Sequence, residues 1–483
     1  MSEFSVYRML SYETAKRAFR TQRYELSMMN KAHGKMLVKQ GYLSLEDYRQ
    51  IAHGIDQVLA TMTEEDIRPQ QSDLYGNMTD QLYAVVGKGL GEKIHMGRSR
   101  NDMGCTFRRM TVRKSISGMA ALVLKVMETL LKKAEENLDT IMTFYTFGQP
   151  AQPGTLGYYY LWVFESFSRD LQRLTAAYAN TNRCAMGAAA GIGTNFNLDR
   201  QYVSDALGFD SVIENTMDAI TSPDYLLEVE SAYANMMSSL SRIAQDMFFW
   251  ASSECGILHC DSTISEGSTI MPQKNNPCAI ELLRAKTGHA IGLVNEGLAL
   301  MRNTSFFPNI ENSREMFHIY DAQADEVEAA LRLFLDVLDH SSINREKAYQ
   351  MALDSFTGAS TAAEYIAEKY DLPFTRTHHV IGDMIRKLMQ DGTLEAKYLT
   401  SGLLADASEK VFGKRIVLSD EQVQQLIDPK FCLECKITGG TPKHEDSVKM
   451  LSQCRMRYTS QKAWLDRANE KVAHAYAALN SEV

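Results

Sequence analysis

From Ile264 to Pro277 the chain reads ISEGSTIMPQKNNP, a stretch dense in groups suited to chemistry on an anion. Gly267 permits backbone close to a ligand, Ser268 and Thr269 present hydroxyls, Lys274 is a point cation and Asn276 a flexible donor. Pro277 suits the first position of the helix that follows. A connection of this make-up between two long helical patterns reads as a mobile lid carrying an anion site, against the plainer alternative of an exposed loop. A second polar segment, His95-Met-Gly-Arg-Ser-Arg-Asn-Asp102, sets two guanidinium groups, a hydroxyl and an amide beside Gly97. Arginine grips carboxylates bidentately and the neighbours add donors. Its plainer alternative is a solvated turn with Asn101 and Asp102 as caps. A third segment, Phe144-Tyr-Thr-Phe-Gly-Gln-Pro-Ala-Gln-Pro153, is a rigid, aromatic loop that taken alone is an ordinary connection.

Long helices must hold these segments. Ten prolines in 483 residues leave long stretches without a breaker. From Ser222 to Glu254, Ser222 can cap, Pro223 suits the first helical position, and apolar residues recur at Leu226, Val229, Tyr233, Met236, Leu240, Ile243, Met247 and Trp250. Steps alternating three and four make a bundle seam. Similar runs are Leu156 to Tyr178, Met110 to about Leu138, Ile280 to Val294, and Phe317 to Leu338. A thirty-residue helix spans about 45 Å and buries its stripe only against partners of like length. Residues 109–360 are therefore expected to form an elongated bundle, with stripes wide enough to call for oligomerisation. Residues 1–108 should form an N-terminal helical domain containing the HMGRSRND segment, and 361–483 a small domain of short helices. No alternating strand pattern of useful length is evident, so the expected fold class is all-α.

The composition narrows function. A net charge of −9, from 51 basic and 60 acidic side chains, shows no basic stripe and argues against nucleic acid as a partner. The start, MSEFSVYRML, has no apolar core of a signal peptide, and Met119 to Leu131 is broken by Lys125 and Glu128, so no membrane association is expected. The eight cysteines have no framework spacing. The single CxxC at Cys432 and Cys435 lacks a second ligand pair, which fits reduced thiols in a cytoplasmic protein better than a metal site.

Taken together, the three segments resemble the three separated motifs of the fumarase/aspartase superfamily, in the right order. GSTIMPQKNNP resembles its GSSxMPxKxNP loop. HMGRSRND and YTFGQPAQP resemble the HTGRSRND and YTHLQxAQP segments of the argininosuccinate lyase branch. The likeness extends through Ala32-His-Gly-Lys-Met-Leu37, Met217-Asp-Ala219, Pro373-Phe374 with His379, and Gly439-Gly-Thr441, covering essentially the whole chain. It implies three domains, a homotetramer with a twenty-helix core, active sites formed by segments of three different subunits, and no metal or organic cofactor. The implied reaction is a trans elimination: a base takes a Cβ proton from a succinyl group, the Cα substituent leaves, and fumarate is released. By resemblance, Ser268 is the catalytic base when ionised. Lys274 and Asn276 hold a substrate carboxylate. Ser99, Arg100, Asn101 and Thr146 contact the fumarate moiety, and Glu281 orients the active-site histidine. Thr269 replaces a second serine and could take over from Ser268. The chemistry is demanding, because a dianionic intermediate needs dense, preorganised donors.

Several positions depart from the pattern. The histidine of the third segment is Phe147, which cannot donate, accept or titrate, so Glu281 loses its partner. The EDIH-like segment reads Ser72-Asp-Leu-Tyr75, and the acidic, serine-bearing stretch near the start reads Leu26-Ser-Met-Met-Asn30. A substrate-binding tyrosine, glutamine and lysine align near Phe307, Asn312 and Glu315. The grip on the fumarate half is kept while the rest of the pocket is rebuilt. An alkylamine leaving group needs less help from an acid, since such nitrogens carry a proton at neutral pH (pKa about 10). The expected activity is a carbon–nitrogen lyase releasing fumarate from an N-substituted aspartate. The alternatives are argininosuccinate lyase with a variant site, another elimination of the superfamily, or a noncatalytic structural homologue.

Overall fold

The structure is a computed structural model, and it describes residues 5–392 and 395–481. Five long helices carry the centre of the molecule: α4 (Arg100–Glu136), α5 (Leu156–Thr181), α6 (Asp224–Ala251), α7 (Cys278–Met301) and α8 (Met316–Asp339). They form because their apolar stripes have long partners. All eight seam residues expected on α6 are buried, as is the stripe from Leu156 to Tyr178 on α5. α4 packs along α5, and α7 lies between α6 and α8. α7 buries Ile280, Leu283, Thr287, Ala290, Val294 and Gly297, while Leu282 and Leu298 on its other side stay exposed.

Before the bundle come α1 (Val6–Lys39), α2 (Leu45–Thr61) and α3 (Leu74–Val86), which share an apolar core with the first turns of α4. A separate core joins the shorter helices from Ala359 to Ile427. The last helix, α9 (His444–Ser481), returns to the bundle: Leu451, Cys454 and Leu465 join the central core, and Leu479 joins the N-terminal one.

The structure differs from expectation in three places. The C-terminal stretch contains a helix of 38 residues where only short ones were expected. Its stripe is thin and charged, because it covers a bundle already packed. α6 begins at Asp224. Pro223 is its N-cap, and the Ser222 hydroxyl bonds the Asp218 carboxylate of the preceding short helix instead of capping. The third motif segment is an antiparallel hairpin, β1 (Ile141–Thr146) with β2 (Gln149–Thr155). Its strands are too short and proline-rich to show as alternation. No helix among the described residues is long and apolar enough to cross a membrane.

Candidate active site

The first cluster sits at the start of α4. Ser99 is its N-cap: the hydroxyl accepts from the Asn101 amide at 3.3 Å, and the Ser99 amide donates to Asp102 Oδ1 at 2.9 Å. Asp102 is fully buried, and its other oxygen accepts from the amides of Gly187 at 3.0 Å and Ala189 at 2.9 Å. Burial raises its pKa, opposed by these backbone donors. Asp102 thus ties the start of α4 to the 187–189 segment and fixes where Arg100 and Asn101 emerge. Arg100 donates to Ser72 Oγ at 2.9 Å and faces Asp73 at 3.4 Å. Behind them Tyr75 bonds His95 Nδ1 at 2.7 Å. Burial, then Arg98 and Arg100, lowers the pKa of His95. A long helix ending here adds its positive pole, so the cluster suits a carboxylate.

The second cluster is the loop after α6. β3 (Glu266–Gly267) pairs antiparallel with β4 (Asn275–Asn276), so the expected lid is a small hairpin with Ser268 to Lys274 at its tip. Ser268 Oγ accepts two backbone donors, Ile270 N–H at 3.3 Å and Met271 N–H at 3.0 Å. The Ser268 amide donates back to the Lys274 carbonyl. Thr269 and Lys274 are exposed and Asn276 is half-buried. Lys274 and Glu281, the latter in the first turn of α7, form no ion pair among the described residues. The third cluster is the β1–β2 turn. Thr146 pairs with Gln149, leaving Phe147 and Gly148 as the two central residues, with φ of 52° and 75°. Both positive angles mark a type I′ turn, which an aromatic residue rarely accepts. Phe147 is fully exposed at the tip.

One chain does not bring these clusters together. α4 leads from Ser99 to Glu136, about 55 Å at 1.5 Å per residue, before the hairpin with Thr146 begins. α8 begins beside the first cluster, where Phe317 and Arg314 share a cavity wall with Arg100. It ends at His340, whose carbonyl accepts from the Asp261 amide at the root of the lid. Ser99, Arg100 and Asn101 therefore stand at one end of the bundle. Thr146, Ser268, Thr269, Lys274, Asn276 and Glu281 stand at the other.

Sequence reasoning missed part of the first cluster. A cavity of about 280 Å³ opens beside Arg100 and Asn101 and is walled by Arg17, Arg108, Arg314 and His318, among others. Arg314, and not Glu315, lines it. Glu315 pairs with Arg314 at 3.0 Å, Asn312 is engaged with Asn309 and the Thr221 carbonyl, and Phe307 is exposed. The spacing of Thr14, Arg17 and Gln22 on α1 was a usable signal, since such residues share one helical face.

A lyase family model matches residues 4–292. The argininosuccinate lyase of Carboxydothermus hydrogenoformans is 35% identical over 88% of this chain and 91% of its own length. Argininosuccinate lyase 1 of Shouchella clausii is 30% identical over 94% of this chain and 90% of its own. Among solved structures, a variant of EDDS lyase with bound fumarate superposes with a TM-score of 0.85 at 25% identity, covering 99% of this chain and 95% of its own. The class II fumarase of Schistosoma mansoni shares the fold, with a TM-score of 0.71 at 15% identity, over 88% of this chain and 94% of its own.

Proposed function

The chain belongs to the fumarase/aspartase superfamily, close to argininosuccinate lyase, and from that footing we propose how it works as a carbon–nitrogen lyase releasing fumarate from an N-substituted aspartate. The observation that carries the reading is the pair of amides on Ser268 Oγ. An ordinary serine is a poor base, and backbone donors aimed at its oxygen, with Lys274 on the same loop, stabilise the alkoxide that can take a proton. In this reading Ser268 takes the Cβ proton, and Lys274 and Asn276 hold the adjacent carboxylate as charge builds. Ser99, Arg100, Asn101 and Thr146 hold the other end of the succinyl group. The Cα–N bond then breaks, its electron pair leaves with a nitrogen that already carries a proton, and Cα=Cβ forms. Phe147 supplies no acid, which matches an amine leaving group. Thr269 supports the loop, and Glu281 polarises the region at the start of α7.

The assembly we propose is a homotetramer, supported by the separated clusters and by the apolar face of α7 left exposed in one chain. Free cysteines at all eight positions support a cytoplasmic setting. A division into 1–108, 109–360 and 361–483 is supported by the three largest apolar cores, with Cys184 to Phe209 joining the first and α9 crossing back to the first two. Overall identity to argininosuccinate lyases favours argininosuccinate itself as a second reading. The test is fumarate absorbance with purified enzyme across argininosuccinate and a series of N-alkyl aspartates. Fumarate from the N-alkyl series is expected. No fumarate from any substrate, and no reverse addition of amines to fumarate, contradicts the reading.

A further inference from the structure

If Arg100 and Asn101 grip the succinyl group, the cavity beside Arg100 is where a substituent on the succinyl nitrogen would extend, so its role rests on the lyase reading of the site. The cavity wall is basic. α1 contributes Arg17, α4 contributes Arg108, and the turn before α8 contributes Arg314. Among the described residues the one acidic side chain in the wall is Asp73, already facing the Arg100 guanidinium at 3.4 Å. The carboxylates that orient the other arginines stand behind the wall: Asp321 holds Arg17 at 2.6 Å and Glu315 holds Arg314 at 3.0 Å. Each guanidinium keeps further N–H groups for a ligand. Arg108 forms no ion pair among the described residues. It meets the Cys105 sulfur at 3.6 Å and lies over the Phe107 ring at 5.9 Å. Glu311–Glu315 forms a wide π-type turn that displaces Ser313 and Arg314 from the regular path into α8. Such turns frequently mark functional sites.

A pocket built for a guanidinium or a second ammonium would present a free carboxylate, and the described residues of this wall present none. We propose that the amine leaving group carries a carboxylate, and that Arg17, Arg108 and Arg314 select it. The substrate class is an aspartate whose nitrogen bears a short alkyl chain ending in a carboxylate and lacking a terminal cation. Arg314 and Arg17 line the cavity with guanidinium N–H groups beyond those held by Asp321 and Glu315, and Arg108 supplies charge that no ion pair among the described residues offsets.

The test runs the reaction in reverse with the full-length enzyme, following loss of fumarate with three amines of matched length: a diamine, a plain alkylamine and an amino acid with a terminal amine. The amino acid should exceed both others in kcat/KM by roughly tenfold or more, the scale of one charge-assisted bond. Arg314→Gln and Arg108→Gln should each cut that preference by about tenfold through KM. Arg108→Gln breaks no ion pair, so it remains informative if Arg314→Gln fails to fold. Addition without charge preference, preference for the diamine, or equal losses for all three amines overturns the carboxylate assignment alone. No addition with any amine contradicts the lyase reading, and the carboxylate assignment falls with it.

Discussion

Ser268 differs from an ordinary surface serine in what points at its oxygen. Two loop amides donate to it, and a carbonyl three residues past them returns to its own amide, so the hydroxyl is held inside a turn already arranged for negative charge. Ser268→Ala should lower kcat by about a hundredfold or more, with assembly unchanged on a sizing column. Turnover within a few-fold of the parent would transfer the base role elsewhere, Thr269 being the nearest hydroxyl. Phe147 poses the opposite question, because it removes a titrating group from the third segment. Phe147→His should raise argininosuccinate turnover relative to N-alkyl aspartates by about tenfold, since only a poorer leaving group gains from an added acid. An unchanged ratio would mean that position 147 plays no part in leaving-group choice.

At the scale of elements, the start of α4 depends on one buried carboxylate. Asp102 accepts from the amides of Ser99, Met103, Gly187 and Ala189. Asp102→Ala should destabilise the protein by about 3 kcal/mol or more in urea unfolding, because it strands buried amides and removes half of the capping box. It should also raise KM for substrate, since Arg100 loses its fixed origin. Wild-type stability in that variant would contradict the anchoring role. This anchor was half legible in the sequence: Asp102 reads as a cap, but its partners at 187 and 189 are far away in the chain and carry no local pattern. The bundle helices were legible because burial follows a 3.6-residue period, as on α5 and α6. The hairpin and α9 were not, one because prolines and a bulge mask its strands, the other because its stripe is sparse. The lid was legible as chemistry through its residue types, yet the donors on Ser268 come from backbone, which residue types do not reveal.

Across the whole molecule, one buried group links stability to pH. Glu230, fully buried on α6, has no hydrogen-bond partner for either carboxyl oxygen among the described residues. Burial, reinforced by Glu296, raises its pKa from 4.5 to about 8. The folded state then keeps a proton that the unfolded chain releases, so stability should fall as pH rises from about 4.5 to about 8 and level off above that. Urea midpoints measured between about pH 6 and 8, above the range in which buried Asp170 (pKa raised to about 6) also contributes, should lose that slope in Glu230→Gln. An unaltered slope would assign it to other groups. The largest-scale feature is the separation of Arg100 from Ser268 by the length of the bundle, and in the proposed homotetramer another copy of the chain would complete each cluster. The most direct measurement mixes two variants, Ser268→Ala and Arg100→Ala, each inactive alone, dissociated together and reassembled in equal amounts. If the two side chains serve one site from different subunits, random reassembly restores about a quarter of wild-type fumarate release, because one site in four receives both intact residues. If both act from the same chain, or if only one of them belongs to the site, the mixture releases no more fumarate than the separate variants together.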